Sequence, residues 1–102
     1  MDSLTHKRMY QDAEKLRRVA KVMRTISHPV RLCIVELLLK EGRLAVKDIY
    51  ETMEISQSNA SQHLKLMQSS GILKGEREGA NVFYELANAG MASMLLAACQ
   101  CA

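Results

Sequence analysis

Residues 55–86 constrain the fold of this sequence more than any other stretch, because four unlike signals follow one another there. Ser56 is a favourable cap for the polar helix that follows it, and Gly71 is the kind of residue that ends one, so we predict a helix between them. Residues 73–77 and 81–86 are predicted strands. A turn with a glycine near its tip joins them, since glycine tolerates the positive φ that a hairpin requires.

Helical periodicity dominates the rest of the sequence. Apolar residues recur at steps of three and four over residues 12–26, and again over residues 30–38, where Gly42 closes the second helix. Ser27 and Pro29 are typical of a helix boundary. We expect Ser27 to cap the second helix and Pro29 to lie in its first turn.

Two more helices complete the predicted architecture. A short third helix is expected from about residue 46 to residue 53, and a last helix is capped by Asn88, with an apolar stripe at Met91, Met94, Leu95 and Ala98. Residues 1–11 are polar and are expected to form a mobile arm. Residues 1–102 are therefore predicted to be a single domain, mainly α-helical with a small β-hairpin.

Composition limits the possible partners. With 48% apolar but only 4% aromatic residues, the core must be built from aliphatic side chains and methionine. A chain this short buries only about two-thirds of its unfolded surface, so self-association would add stability. The net charge of +3 suits a nucleic-acid partner without establishing one. No stretch resembles a membrane span or a signal peptide, so we expect no membrane partner and a cytoplasmic protein with reduced thiols.

The helix predicted after Ser56 has two unlike faces. At about 100° per residue, Ala60, Leu64 and Met67 fall on one side and are expected to face the core. Amide and hydroxyl side chains on the other side suit base edges, whereas lysine and arginine suit phosphates. We therefore predict a DNA-binding surface of Gln57, Ser58, Asn59, Ser61, Gln62, His63 and Lys65 on this helix, with Lys74 and Arg77 on the hairpin.

The alternative interpretation is that these polar side chains only contact solvent. The helix carries no Glu or Asp, which is unusual for a merely solvated face, and a hairpin follows it directly. Helix, short turn and helix is the helix-turn-helix pattern, whose second helix lies in the major groove. His63 lies between the two faces, so packing and a phosphate contact are both open for it. His28, beside Pro29, is interpreted as a structural turn residue.

Two other classes of function remain open. One alternative is an architectural or protein-interaction module with the same helices and hairpin that responds to no ligand. Such a module would bind DNA with strong salt sensitivity and little sequence preference, or would not bind DNA at all. Catalysis has the weakest support. No Ser/His/Asp grouping, carboxylate pair or phosphate-binding loop stands out, so we expect no enzymatic activity.

Five motifs bear on the family to which this sequence is related. They are SHPVRL at 27–32, SQSNASQHLK at 56–65, SGIL at 70–73, REG at 77–79 and VFYEL at 82–86. Together, within residues 15–98, they resemble the ArsR/SmtB family of bacterial metal- and stress-responsive repressors. Ala80 departs from the family pattern, in which the wing often carries a second basic residue, so the resemblance implies a weaker wing contact here.

The resemblance implies a winged helix-turn-helix homodimer paired through its first and last helices. Two recognition helices would then bind an imperfect inverted repeat in double-stranded operator DNA, with no cofactor required. Such repressors release DNA when an inducer binds. The apolar stripe of the last helix agrees with a dimer seam, although an intramolecular core contact would also explain it.

Two inducer sites that the resemblance suggests are absent from this sequence. Where the arsenic-type site has Cys-Val-Cys at the start of the third helix, this chain has Ala45, Val46 and Lys47. The zinc-type site in the last helix needs Asp, His and Glu, and residues 88–100 contain none of them. Neither site can be transferred to this chain.

Three cysteines remain as candidate sensors: Cys33 in the second helix and Cys99 and Cys101 near the C-terminus. Relatives that sense sulfide or oxidants pair cysteines in these two regions, each about one turn later. One possibility is oxidation or persulfidation resolved as a cysteine bridge. The other, slightly favoured by three thiols, is As(III), Cd(II) or Pb(II) held by thiolates as the inducer. A buried structural Cys33 with an incidental tail is the third interpretation.

Overall fold

The computed structural model describes the backbone of residues 3–100 and, within that range, the side chains of residues 12–94, 96–97 and 100. This part of the chain is mainly helical and contains one small antiparallel sheet, as predicted. In chain order the elements are α1 (Ser3–Ile26), α2 (Pro29–Glu41), β1 (Arg43–Ala45), α3 (Val46–Met53), α4 (Gln57–Ser69), β2 (Leu73–Glu78), β3 (Asn81–Leu86) and α5 (Ala89–Gln100).

The first helix is longer than the sequence pattern predicted. Its backbone is helical from Ser3, so the boundary predicted between an arm over residues 1–11 and a helix from Asp12 is wrong. No glycine or proline lies between residues 3 and 26, and nothing local therefore ends the helix early. The apolar periodicity fades before Asp12, which is why the pattern placed the start too late.

The second helix is capped by a different residue from the one expected. His28 is the N-cap of α2, and its Nδ1 accepts a hydrogen bond from the Val30 amide at 3.1 Å. The Ser27 hydroxyl instead donates back to the Met23 carbonyl of α1 at 2.7 Å. The prediction of a Ser27 cap is wrong because Ser27 extends the hydrogen bonding of the helix before it. His28 has the structural role that was predicted for it.

The connection between α3 and α4 is the tight turn of a helix-turn-helix. Glu54 adopts a left-handed conformation with φ of +57°, and the Ile55 amide donates to the Tyr50 carbonyl at 3.1 Å. Ser56 then caps α4, as predicted, by accepting from the Asn59 amide at 3.0 Å. Gly71, with φ of +82°, follows the end of the helix.

The sheet has one strand more than the sequence predicted. Strand order is β1-β3-β2, with both pairs antiparallel, and Gly75 lies opposite Tyr84 within the β2–β3 hairpin. The third strand, β1, pairs Leu44 with Tyr84. It contains only three residues, too few for an alternating pattern to be recognised. Through β1 the hairpin, which forms the wing, is attached directly to the chain between α2 and α3.

Aliphatic side chains fill the core. The six largest fully buried side chains come from α2, α3 and α4, and they are Ile34, Val35, Leu38, Ile49, Leu64 and Met67. The inner face of the recognition helix therefore packs on the helix before it and on α2. None of the described helices is long and apolar enough to cross a membrane.

Candidate nucleic-acid interface

The recognition helix α4 has one buried apolar face and one exposed polar face, as its sequence predicts. Ala60, Leu64 and Met67 are completely buried, which fixes the rotation of the helix about its own axis. On the opposite side Gln57, Ser58, Asn59, Gln62 and Lys65 are exposed, and Ser61 is half-buried at the edge. The structure therefore places the predicted amide and hydroxyl groups together on one exposed face.

Positive charge flanks this polar face. Lys65 on α4 and Lys74 and Arg77 on β2 of the wing are all exposed. Arg77 lies beside the N-terminal half of α4, whereas Lys74 lines a separate cavity with Glu76 and Glu85. Within the described part of the chain none of these cations is engaged in an ion pair. Lys65 and Arg77 are therefore available to phosphate oxygens beside the exposed face of α4, whereas Lys74 lies opposite Glu85 in the hairpin and its phosphate contact stays a prediction.

A groove of about 360 Å³ separates the N-terminal half of α4 from the wing. Gln57, Ser61 and Arg77, three of the predicted contact residues, line it together. Sequence reasoning missed the others, because their contribution depends on how α3 and β3 pack beside α4. These are Val46, Lys47 and Tyr50 from α3, with Ala80, Asn81 and Val82 from the wing.

His63 packs against α2. Its Nδ1 accepts a hydrogen bond from Arg31 Nε at 3.1 Å, and its ring centroid lies 4.8 Å from that of His28. Burial, then the charge of Arg31, then His28 lower the pKa of His63 below its usual value of 6.5. Of the two roles left open by the sequence, packing is the one that these contacts show. A phosphate contact by the same residue stays a prediction.

Arg43, which the sequence did not single out, secures the wing. Its guanidinium lies 2.7 Å from a carboxylate oxygen of Glu78 and 3.8 Å from one of Glu76, and its central carbon lies 4.2 Å above the Phe83 ring. Both carboxylates flank Arg77 on β2. Arg43 therefore ties β1 to the wing and compensates negative charge that would repel DNA.

The structure describes the side chain of only one of the three cysteines, Cys33. Cys33 is exposed, so the interpretation of a buried structural thiol is wrong. Cys33 lies on the side of α2 that faces the C-terminal end of α3. There it lines an open, largely apolar cavity of about 350 Å³ with Glu36, Leu37, Lys40, Thr52 and Met53. The Cys99 side chain and all of Cys101 lie outside the described residues. The described side chains bring no three His, Cys, Asp or Glu residues together as metal ligands.

Two helices carry apolar side chains that a single protomer leaves uncovered. Leu16 is 63% exposed and Met23 50% exposed on α1, and Met94 is 64% exposed on α5. All three are unbranched or γ-branched side chains of a size that is usually buried. The first and last helices therefore present apolar surface, at the places where the resemblance to the ArsR/SmtB family implies contact between protomers.

Sequence comparison relates the chain to known regulators. Residues 26–76 match the model of a helix-turn-helix domain family. Over 83 residues the chain is 35% identical to the HTH-type transcriptional repressor SmtB of Mycobacterium tuberculosis, covering 81% of this chain and 61% of that protein. Over 86 residues it is 36% identical to the biofilm growth-associated repressor of Xylella fastidiosa, covering 83% of this chain and 75% of the relative.

A third relative is the cadmium resistance transcriptional regulatory protein CadC homolog of Staphylococcus aureus, 41% identical over 68 residues that cover 67% of this chain and 56% of the relative. The chain thus spans about three-fifths of the length of the SmtB and CadC relatives that it matches.

Solved structures agree with the fold. A homodimeric winged helix-turn-helix DNA-binding domain from Mycobacterium bovis, described as a possible ArsR-family regulator, superimposes with a TM-score of 0.78 at 27% identity, covering 88% of this chain and 85% of that one. The transcriptional repressor BigR from Xylella fastidiosa gives a TM-score of 0.72 at 36% identity, covering 86% of this chain and 90% of that one. The winged helix-turn-helix predicted from the sequence is confirmed.

Proposed function

This chain belongs to the ArsR/SmtB family of winged-helix transcriptional regulators, and we propose that it is a homodimeric repressor that binds an inverted repeat in operator DNA. One observation carries the proposal. The exposed face of α4 holds amide and hydroxyl side chains with no acidic residue, and the groove beside it leads to Arg77 on the wing. The family comprises DNA-binding regulators, so we expect no enzymatic activity.

Base recognition is assigned to the N-terminal half of α4. Gln and Asn side chains pair bidentately with adenine, and serine hydroxyls accept or donate as the base requires. Gln57, Ser58, Asn59, Ser61 and Gln62 are the residues proposed for this role. Lys65, His63, Lys74 and Arg77 are proposed to contact the phosphate backbone, which holds the helix in register without reading sequence.

Dimerisation is proposed to occur through α1 and α5. The exposed Leu16 and Met23 on α1 and Met94 on α5 would be buried by a second copy of the chain. The related Mycobacterium bovis domain is described as homodimeric. A twofold dimer places its two recognition helices about 34 Å apart, one turn of DNA, which is why the operator should be an inverted repeat.

Control of DNA binding is proposed to act through cysteine thiols. Cys33 is exposed and therefore accessible to an inducer, and Cys99 or Cys101 is the proposed partner. The inducer is proposed to be a thiophilic ion, As(III), Cd(II) or Pb(II), because thiolates are soft ligands and one relative is named for cadmium resistance. A persulfide or oxidant that forms a bridge between thiols is the second candidate, favoured by the same exposure of Cys33.

Fluorescence anisotropy on DNA from upstream of the protein's own gene tests the proposal. Reduced protein is titrated alone, then with arsenite, cadmium, lead or a persulfide donor. Release by an ion alone supports the metal-responsive repressor. Release by the persulfide donor, reversed by dithiothreitol, supports the redox switch instead. Binding that no reagent changes overturns sensing, and binding without preference over a scrambled duplex overturns the repressor in favour of a non-sensing module.

A matched set of serine variants identifies the sensing thiols. Cys33→Ser is expected to bind operator as the parent does, because serine is close to cysteine in size and shape. It should not respond to the inducer, because the thiol is absent. Cys99→Ser and Cys101→Ser, tested separately, show which C-terminal thiol is the partner. A Cys33→Ser variant that responds normally contradicts the assignment of Cys33.

A further inference from the structure

Arg31 lies at the junction of three helices. Its Nη1 donates to the Thr25 carbonyl in the last turn of α1 at 2.7 Å, and its Nε donates to His63 Nδ1 in the middle of α4 at 3.1 Å. Arg31 itself belongs to the first turn of α2 and is half-buried. One side chain thus joins α1, α2 and the recognition helix, and we call Arg31, His63, His28 and Thr25 the junction cluster.

A second hydrogen bond supports the same arrangement. The Thr25 hydroxyl lies 3.1 Å from that of Ser70, the C-cap of α4, and Thr25 is buried. The recognition helix is therefore attached to the α1–α2 corner at its middle and at its end. The packing of His28 on His63 closes the same corner, since His28 is also the N-cap of α2.

These contacts give a role to His28 and Arg31, two motif residues that the proposed DNA contacts do not use, and a second role to His63. His28 and Arg31 belong to the SHPVRL motif and His63 to the SQSNASQHLK motif, far apart in sequence. In the fold, the two motifs meet at the junction cluster. The contact between them is the hydrogen bond from the permanently charged Arg31 to His63, a titratable acceptor on the helix that is proposed to bind DNA.

We propose that Arg31 is a positioning residue for the recognition helix, acting through His63, and that protonation of His63 releases the helix. This inference rests on the proposed DNA-binding function and adds a control on it. The hydrogen bond from Arg31 requires an unprotonated Nδ1, so His63 is held neutral with its proton on Nε2. An imidazolium has no acceptor, and its Nδ1–H would face the Nε–H of a guanidinium.

The surroundings of His63 determine when this release occurs. Burial is the main cause that opposes its protonation, and Arg31 and then His28, both at the N-terminal end of α2, are the titratable groups that oppose it as well. Thr25 of α1 and Ser70 of its own helix are neutral, and Lys65, two residues along α4, is exposed. The hydrogen bond is therefore intact at neutral pH and is lost only in acid.

The sign of the effect on stability follows from linkage. The unfolded chain binds a proton at His63 near pH 6.5, whereas the folded chain does not until the pH falls to the lowered pKa. Stability from this group is therefore complete above about pH 6.5 and is lost as the pH falls through the folded-state value. Operator affinity is expected to decline as the pH falls through the lowered pKa of His63 in the folded protein.

Paired variants separate positioning from simple packing. His63→Asn keeps an acceptor near the place of Nδ1 but does not titrate, whereas His63→Leu keeps most of the volume and removes the acceptor. Arg31→Lys and Arg31→Met form the matched pair on the donor side. Anisotropy on upstream DNA and on a scrambled duplex, from pH 5 to pH 8 at constant ionic strength, is measured for each dimeric variant.

The expected results are distinct. The parent loses operator affinity in acid, and His63→Asn lacks this acid step. At pH 7.5 His63→Leu binds operator more weakly than His63→Asn, because both lack the imidazole but only His63→Asn keeps the acceptor, and Arg31→Met binds roughly tenfold more weakly than the parent. Arg31→Lys recovers part of that loss. In the Arg31 variants binding to scrambled DNA changes little, because neither variant removes a proposed phosphate contact. Parental affinity and an unchanged pH profile in folded His63→Leu would overturn the proposal.

A second measurement, without DNA, distinguishes failure of the proposed DNA-binding function from failure of the proposal about His63. Nuclear magnetic resonance of the free protein follows the His63 imidazole and the α4 backbone amides through the same titration. Amide shifts along the whole of α4, absent in His63→Asn, support repositioning even if the parent binds no DNA. Shifts confined to His63 and its immediate neighbours overturn the proposal whatever the DNA result.

Discussion

Gly75 allows the wing to pack against the recognition helix, and replacing it should disrupt that contact. A Cβ at this position would lie 2.9 Å from Cε1 of Tyr84, the residue opposite on β3, and 3.2 Å from the side-chain amide of Gln68. Gln68 is exposed and can move, whereas Tyr84 is only 6% exposed. The Gly75→Ala change therefore forces either the buried ring or the wing backbone to shift.

The magnitude follows from two opposing effects. Overpacking of this kind destabilises a protein by about 1–3 kcal/mol. Replacing glycine in an ordinary backbone conformation recovers up to about 1 kcal/mol through the unfolded state. The net loss expected is about 1–2 kcal/mol, which lowers Tm by roughly 5–15 °C in a domain of this size.

Thermal and urea denaturation at one fixed protein concentration provide the assay. Gly90→Ala is the matched control, because its Cβ would meet only Asn88 Oδ1 at an ordinary 3.4 Å within α5. That variant should be neutral or stabilised by up to about 1 kcal/mol. In a Tyr84→Leu background the penalty at Gly75 should largely disappear, since the contacted ring atom is gone.

A Gly75→Ala variant as stable as the parent would refute this reasoning, since it would mean that the ring yields freely. The same variant also reports on function. Lys74 is adjacent to Gly75 and Arg77 lies two residues beyond it on β2, so a displaced wing should also weaken binding to operator.

Three further changes test separate parts of the interface. Arg43→Gln removes the contacts to Glu78 and the Phe83 ring, so stability should fall by less than about 1 kcal/mol because the pair is near the surface. The loss of DNA affinity relative to the parent should be larger at low salt than at high salt, and an equal loss at both salt concentrations would contradict the charge argument. Ser56→Ala removes the α4 cap and should lower the free energy of unfolding in urea by about 1 kcal/mol, with Ser56→Asp retaining most of it; an alanine variant as stable as the parent would count against the cap. Lys65→Gln should weaken binding to operator and scrambled DNA alike and reduce the salt slope by about one, whereas an unchanged slope would remove Lys65 from the phosphate contacts.

Local signals explain which elements the sequence predicted well. Ser56 and Gly71 act on the backbone within one turn of themselves, so the bounds of α4 followed from residue type alone. The buried side of α4 followed from the spacing of Ala60, Leu64 and Met67 in the same way. Both features depend on neighbours along the chain and hardly at all on the rest of the fold.

Long-range contacts explain what the sequence did not predict. Strand β1 exists because Arg43–Ala45 pairs with β3, about forty residues later, and three residues carry no periodicity of their own. The role of Arg43 appears only once β1 brings it beside Glu78. The junction between Arg31 and His63 likewise joins residues 32 positions apart. Such contacts depend on tertiary packing, which helical periodicity and capping residues do not predict.

Sequence preference in DNA binding tests the central claim most directly. The measurement is fluorescence anisotropy of the parent and of a Ser58→Ala, Gln62→Ala double variant on upstream operator DNA and on a scrambled duplex of equal length and salt. Both side chains are exposed on α4 and contribute nothing to the buried core, so the variant should fold normally. The account predicts that the parent prefers operator and that the double variant loses about 1–3 kcal/mol of that preference for each base contact removed, with scrambled binding unchanged. A double variant that discriminates as well as the parent would show that this face of α4 does not read the operator.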